Sequence, residues 1–333
     1  MAVTNAEYWR ERSENIAARQ FAKIEDYIVE LEKEYERAKE ELQRLINYFY
    51  ARYATEEGIS LAEAKRILDA RELKSFKSQV EQFIEMAKDN ADGRWTRTLN
   101  EMYYRSRISR YDALITQMQH HIEMLDGRFQ NDLPSLLDEV YKDAYYSTLF
   151  EVHKGVGFGV SFALANAKLI DKVMRYDYKD KLLSEIRTHL LQGFIRGDSV
   201  ENLSKTIAER MDVSLGRARR IVRTEGSFFT NQAAFDSYKE SGVVERYQFL
   251  ATLDSRTSDV CQSMDLRVFK LSEKQVGVNF PPLHPNCRST VVAYFEDEPK
   301  LERIARDKKR GTYYVPSDMT YNQWYEKYVA GSR

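Results

Sequence analysis

The chain has 333 residues, 43% hydrophobic and 31% charged, and its 51 Lys and Arg against 52 Asp and Glu leave a net charge of −1. That near-cancellation excludes a basic nucleic-acid coat over the whole surface, so any electrostatic footprint is local. With 2 Cys a disulfide framework is excluded, and 14 Gly with 6 Pro favour long helices over many turns.

The opening residues, MAVTNAEYWRERSEN, turn polar at once, which predicts no secretory signal. The longest weakly polar stretch, residues 155–167, is shorter than the roughly 20 residues a membrane span needs. The expectation is a soluble protein with no membrane contact, made in a cytoplasm-like compartment. Its length suits two domains or three small ones.

Ala17, Phe21, Ile24, Ile28, Leu31, Tyr35, Ala38, Leu42, Leu45 and Phe49 alternate spacings of four and three. That heptad seam predicts a helix about 50 Å long, either one arm of an antiparallel hairpin or half of an intermolecular coiled coil. Gly58 and Ser60 mark a turn, and Ser60-Leu-Ala-Glu63 has the form of a capping box. A second turn is expected near residues 90–93, then a helix over about 95–125 that ends before "DGRFQNDLP".

From Leu133 to about Gly242 the pattern stays helical. The glycines at 155, 157 and 159 lack the strand and the Gly-Lys-Ser/Thr of a phosphate loop, so close packing or a bend explains them better. Helices are expected over 180–195, 199–211 and 214–240, with Ser199 and Ser214 as N-caps. The last two resemble a helix-turn-helix frame that would offer Arg217, Arg219, Arg220 and Arg223 to DNA. Six basic residues oppose two acidic ones between Lys205 and Arg223. Against this, Asp212 stands at the turn position where Gly is favoured.

After Gly242 the texture changes. "VVERYQFLATLD", "RVFKLS" and "STVVAYF" read as three short strands. A basic run, residues 300–310, follows with six basic residues against two acidic, ending in Lys308, Lys309 and Arg310, and leads into a Tyr-rich polar tail. The fold class is therefore mainly α with a small C-terminal β-containing unit, α+β.

The loop "PPLHPNCRS" presents His284 and Cys287 behind a proline pair, and Cys261 precedes it by one strand and turn. Zinc prefers four N/S ligands, and His-x-x-Cys on a tight loop can supply two. The fourth could come from Asp254, Asp259, Asp265 or water. The alternatives are a Cys261–Cys287 disulfide, or buried thiols with His284 bonded to backbone. Arg223 and Glu225 sit together on one helix, which suits a brace against the β unit better than a catalytic pair.

"RTEGSFFTNQAAFDSYKESGV", "YQFLATLDSRTSDVCQSMDLRVF" and "FPPLHPNCRSTVVAYF", in that order, resemble the phage head morphogenesis (Mu F-like) minor head protein family over about residues 180–296. The motif falls on Arg223, Thr224, Glu225, Asp254, Arg256, Thr257, Cys261 and Asp265, then on Pro281, Pro282, His284, Pro285, Cys287 and Arg288. Family members often carry further cysteines where Ser258 and Ser289 stand, and a turn glycine where Leu266 stands.

The resemblance implies a non-enzymatic minor capsid protein of a tailed phage. It would be made in the host cytoplasm and placed inside the virion head near the portal. Its implied partners are the portal protein and the major capsid or scaffold protein, with non-specific double-stranded DNA contact during packaging or ejection. Residues 1–130 would be an extended helical or coiled-coil-like region and 131–242 the helical part of the head morphogenesis domain. Residues 243–298 would be the β unit with the Cys/His loop, and 299–333 the tail. A nucleotide- or nucleic-acid-processing enzyme using Arg223 and Glu225 is the alternative.

Overall fold

The structure, a computed structural model, describes residues 5–54, 59–88, 108–153, 178–295, 302–307, 311–316 and 319–328. The turn expected near 90–93, the glycines at 155–159 and the run Lys308–Arg310 lie outside the described residues. The chain divides into two compact units. One holds Met1–Ile28, Leu133–Val173 and Arg219–Arg333, the other Val29–Asp132 and Met174–Ala218.

The helices are α1 (Asn5–Tyr53), α2 (Leu61–Ala64), α3 (Ala70–Lys88), α4 (Arg110–His153), α5 (Tyr178–Arg196) and α6 (Val200–Ser241). Most of the seam read from α1 is buried, but Phe21 and Leu45 are half-exposed while Gln20 and Ile46 are fully buried. A straight helix turns every 3.6 residues, so a strict seven-residue stripe drifts off its face along this length.

In the first unit the seam is filled from within the chain. Asp143 of α4 accepts from Gln20 at 2.8 Å, and from Arg19 and Lys23 at 3.1 Å. Gly226 of α6 lets Ile24 approach so closely that a Cβ there would stand 2.3 Å from Ile24 Cδ1.

In the second unit, Tyr35, Lys39, Gln43 and Tyr50 of α1 bond in turn to Ser214, Asp212, Ser204 and the Asp198 carbonyl. The descending order makes α6 an antiparallel partner of α1 in this unit. Ser60 caps α2 as expected, accepting from the Glu63 N–H at 3.2 Å. A box absent from the sequence reading opens α3. Asp69 Oδ1 accepts from the Glu72 N–H, and Glu72 accepts from the Asp69 N–H, both at 2.9 Å. Glu72, 6% exposed, also pairs with Arg110 at 3.1 Å, and Arg110 lies 4.0 Å from the centre of the Tyr53 ring and pairs with Glu63.

Two expected helix breaks do not occur. α4 runs through Gly127 and Pro134 because Leu125, Phe129, Leu133 and Leu137 are all buried at four-residue intervals. Their burial outweighs penalties of about 1 kcal/mol for Gly and about 3 for Pro inside a helix. α6 runs through Asp212 and Val213, so the helix-turn-helix frame is absent. Ser214 is no N-cap but a buried mid-helix residue. Ser199 does cap, accepting from the Asn202 N–H at 3.3 Å.

The three expected strands form, as β1 (Arg246–Leu250), β2 (Val268–Lys270) and β3 (Thr290–Tyr294), antiparallel in the order β2-β1-β3. Period-two alternation places Tyr247 and Phe249 on one face with their cross-strand neighbours Phe269, Ala293 and Val291. Phe235 and Tyr238 of α6 cover one half of that face. A short helix, α7 (Asp259–Met264), covers the other half together with Cys287.

The outer edge of β3 would leave backbone groups bare, and α6 covers it with side chains. Asn231 donates to the Ser289 carbonyl at 3.2 Å and accepts from the Val291 N–H at 3.0 Å, and Tyr238 donates to the Val291 carbonyl at 3.4 Å.

The expected polar tail is folded. β4 (Glu302–Asp307) and β5 (Gly311–Pro316) make a hairpin, followed by α8 (Tyr321–Tyr328). Trp324 is fully buried against Leu253, Ala305, Val315 and Tyr321.

Candidate metal centre and its clasp

Cys261 sits in α7, which Ser258 caps by accepting the Cys261 N–H at 3.4 Å. The opposing side is the loop of the proline pair, which contains a cis Pro281–Pro282 bond. Its residues 284–287 close a turn in which the Cys287 N–H donates to the His284 carbonyl at 3.2 Å. Pro285 supplies the fixed φ of the second position, and Asn286 takes φ 61° at the third. Asn is one of the few non-glycine residues that tolerate this region, so His-Pro-Asn-Cys is turn chemistry of the type II kind.

The turn brings its first and last side chains to Cys261. Cys261 Sγ is 3.3 Å from His284 Nε2 and 3.7 Å from Cys287 Sγ, and the ligand atoms of all three lie within 4.8 Å of one another. Both cysteines are free thiols and 1% exposed, while His284 is half-buried. The disulfide reading is therefore set aside for this structure.

His284 Nδ1–H donates to the Pro285 carbonyl at 2.8 Å, which leaves the Nε2 lone pair facing the sulfurs, the tautomer a metal needs. Proximity to Cys287, then burial, pushes the Cys261 thiol up. The S–H that Cys261 donates holds Cys287 below the ordinary thiol range, against burial. Once metal displaces their protons, two cysteine thiolates and the Nε2 lone pair of His284 can hold a metal ion. The hydroxyls of Ser289 and Ser258 also reach Cys261, so both positions where the resemblance expects extra cysteines adjoin the same sulfur.

The other motif residues fasten this cluster. Arg288 pairs with both oxygens of Asp254, at 2.8 Å for Nη2 to Oδ1. Asp254 Oδ1 also accepts from the Arg256 N–H at 2.9 Å and the Thr257 hydroxyl at 3.2 Å. Burial alone would raise the Asp254 carboxyl, but Arg288 and Arg256 hold it below the usual carboxylate range. Asp265 accepts from the Ala251 N–H and from the Tyr321 N–H, both at 2.9 Å, and so joins β1 to the tail. Among the described residues the donor atoms lying together are those of Cys261, His284 and Cys287, without Asp254, Asp259 or Asp265. Leu266 adopts φ 63°, the left-handed region that a glycine at this position would enter without strain.

Within the Arg-Thr-Glu segment, Arg223 makes a bidentate pair with Glu25 of α1 at 2.7 Å. Thr224 Oγ1 accepts the Asn286 N–H at 3.0 Å and ties the loop to α6. Of the residues offered for DNA, Arg217 is engaged by Glu185 at 3.1 Å, Arg219 is half-buried and Arg220 is exposed.

The sequence reading missed Asn231, Glu25 and Tyr321. Only Tyr321 carried a local signal, the aromatic spacing of "YNQWYEKY". Among the described residues no helix is long and apolar enough to cross a membrane.

Residues 184–292 match the family described as Phage Mu protein F like protein. Over this segment the chain is similar to that phage family. A minor head protein, GP7 of Bacillus phage SPP1, is 22% identical over 79% of the chain and 92% of its own length. An NAD(+)–arginine ADP-ribosyltransferase, EFV of Enterococcus faecalis, is 20% identical over 66% of the chain, which spans only 50% of that protein. No solved structure matches.

Proposed function

We propose that the chain acts in head morphogenesis of a tailed phage, as a few-copy component inside the head near the portal. The observation that carries this reading is the similarity along 92% of the length of a phage minor head protein. The portal protein is the first partner, with the shell or scaffold protein second. A net charge of −1 suits a protein-lined environment. α1 supplies the partner surface, with Val29 and Tyr48 about half exposed (47% and 55%). DNA contact is a secondary role: of the α6 arginines offered for it, Arg217 is occupied by Glu185 while Arg220 is exposed.

Catalysis takes no part. Arg223 is spent on Glu25 and Thr224 on the loop, which is fastening rather than chemistry. The transferase named above extends over as much chain again as the matched part.

The test uses the full chain with a photo-crosslinking residue at Val29 or Tyr48, co-expressed with the portal protein of its own phage. Adducts to the portal from these positions, and none from the exposed Arg267 or Lys270 of the β unit, are expected. Adducts from the β unit alone, or no association at all, would overturn the reading.

Cys261, His284 and Cys287 are read as a structural zinc site. Zinc bonds of about 2.3 Å to sulfur and about 2.0 Å to nitrogen, set tetrahedrally, separate two sulfurs by about 3.8 Å and sulfur from nitrogen by about 3.5 Å. The separations here are 3.7 and 3.3 Å. Bound zinc would supply a cross-link between α7 and the loop. One zinc per chain is expected by elemental analysis, with affinity falling more than about 100-fold in His284→Ala. Affinity should fall with pH as the thiolates take up protons, and rise in Ser289→Cys, which adds a sulfur beside Cys261. Metal-free protein from zinc-rich medium would remove this part of the proposal.

A further inference from the structure

The two sulfurs have a second chemistry open to them. We propose that Cys261 and Cys287 form a redox-active pair that closes to an intramolecular disulfide when no metal is bound, so that metal and disulfide are alternative states of one clasp. The disulfide rests on the sulfur geometry alone, whereas its exclusion by metal rests on the zinc reading above.

The sulfurs stand 3.7 Å apart and a disulfide needs about 2.0 Å, so closure takes a movement of under about 2 Å. The chain's 2 Cys admit one intramolecular pairing and no other. Each sulfur is held in place from its own side, Cys261 by the Ser258 cap and Cys287 by a turn tied to Thr224. Both residues are 1% exposed, so a small oxidant has to enter past the half-buried His284.

With hydrogen peroxide the step balances as follows. The Cys287 thiolate attacks one peroxide oxygen, the O–O bond breaks, and the departing hydroxide takes a proton and leaves as water. Cys287 is then a sulfenic acid whose sulfur has a second thiol beside it. Cys261 Sγ attacks that sulfur, the S–S bond forms and the S–O bond breaks. The second hydroxide leaves as water with the Cys261 proton, which His284 Nε2, 3.3 Å from that sulfur, can pass on. Two thiols have lost two protons and two electrons, and one peroxide has become two waters. The nearness of the second thiol makes cross-linking faster than further oxidation of the sulfenic acid.

The test uses reduced, full-length chain stripped of metal with a chelator and exposed to graded hydrogen peroxide. Expected are the loss of two hydrogen masses, a Cys261–Cys287 cross-linked peptide, and maleimide labelling that falls from two thiols to none. Zinc loading beforehand should slow the cross-link at least ~10-fold, because coordinated thiolates are withdrawn from attack. Cys261→Ser, checked for folding by circular dichroism, should stop at a sulfenic acid on Cys287 that dimedone traps.

Sulfinic or sulfonic acid without a cross-link, or cross-links only between chains, would overturn the proposal. Zinc bound with no cross-link after stripping would sink the redox pair and leave the metal reading standing. A cross-link in a chain that binds no zinc would do the reverse.

Discussion

Alanine at Asp265 is expected to cost about 3–5 kcal/mol and to release the C-terminal hairpin and α8. Asp265 is buried, and its two carboxylate oxygens accept from the N–H groups of Ala251 and Tyr321. Truncation leaves two donors without acceptors, each costing about 1–3 kcal/mol, and removes a negative charge from the first turn of α8. The loss should spread to Trp324, which is fully buried only while the tail is seated. Asp265→Asn keeps one acceptor oxygen and should cost about half as much. Urea unfolding followed by tryptophan fluorescence reads the stability, and hydrogen exchange at 321–328 reads the release. A midpoint within about 0.5 kcal/mol of the parent would show that the tail is held by other contacts.

Removing Glu72 should be as severe, through a different mechanism. Its carboxylate, 6% exposed, stands against an Arg110 side chain that is 10% exposed, and Arg52 lies 3.8 Å away. Glu72→Ala strands the Arg110 guanidinium on Glu63 alone and breaks the box that opens α3. Breaking one side of a buried pair costs about 3–5 kcal/mol. Replacing both partners with leucine should cost much less, because no charge is left uncompensated.

The pair also sets an acid limb. Burial alone would raise the Glu72 carboxyl, but the Asp69 N–H, the Tyr53 hydroxyl and Arg110 hold it below the ordinary range. A folded-state value below the unfolded one gives stability that is complete above the ordinary glutamate range. That stability is lost as pH falls through the folded value. Unfolding free energy measured from pH 7 downward should therefore fall less steeply in Glu72→Ala than in the parent. Parallel curves would mean that Glu72 does not titrate as the pair requires.

What could be read in advance divides by the range of the forces. The three strands and the Cys/His loop were legible because alternation, β-branched runs and prolines are local signals. α1 was legible because its period repeats for ten positions. The breaks expected at Gly127–Pro134 and at Asp212 failed because local breaker signals were outweighed by burial on both sides of each. Glu25, Asn231 and Tyr321 were illegible as partners. Arg223, Ser289 and Asp265, which they meet, lie 198, 58 and 56 residues away, and no spacing rule spans such distances. Cys261, His284 and Cys287 were legible as a set, but their ties to Thr224, Asp254 and Arg288 needed the fold.

The proposed role is that of a working part of a phage head, with residues 184–292 similar to the Mu F-like family. The direct measurement is assembly of heads from co-expressed portal, scaffold and major capsid proteins of its own phage, with and without the full chain. Particles are purified by sedimentation and their proteins quantified by mass spectrometry. Incorporation in a few copies per head, lost in Asp265→Ala or reduced with it, is the predicted result. Heads that form normally and exclude the intact chain would contradict the claim.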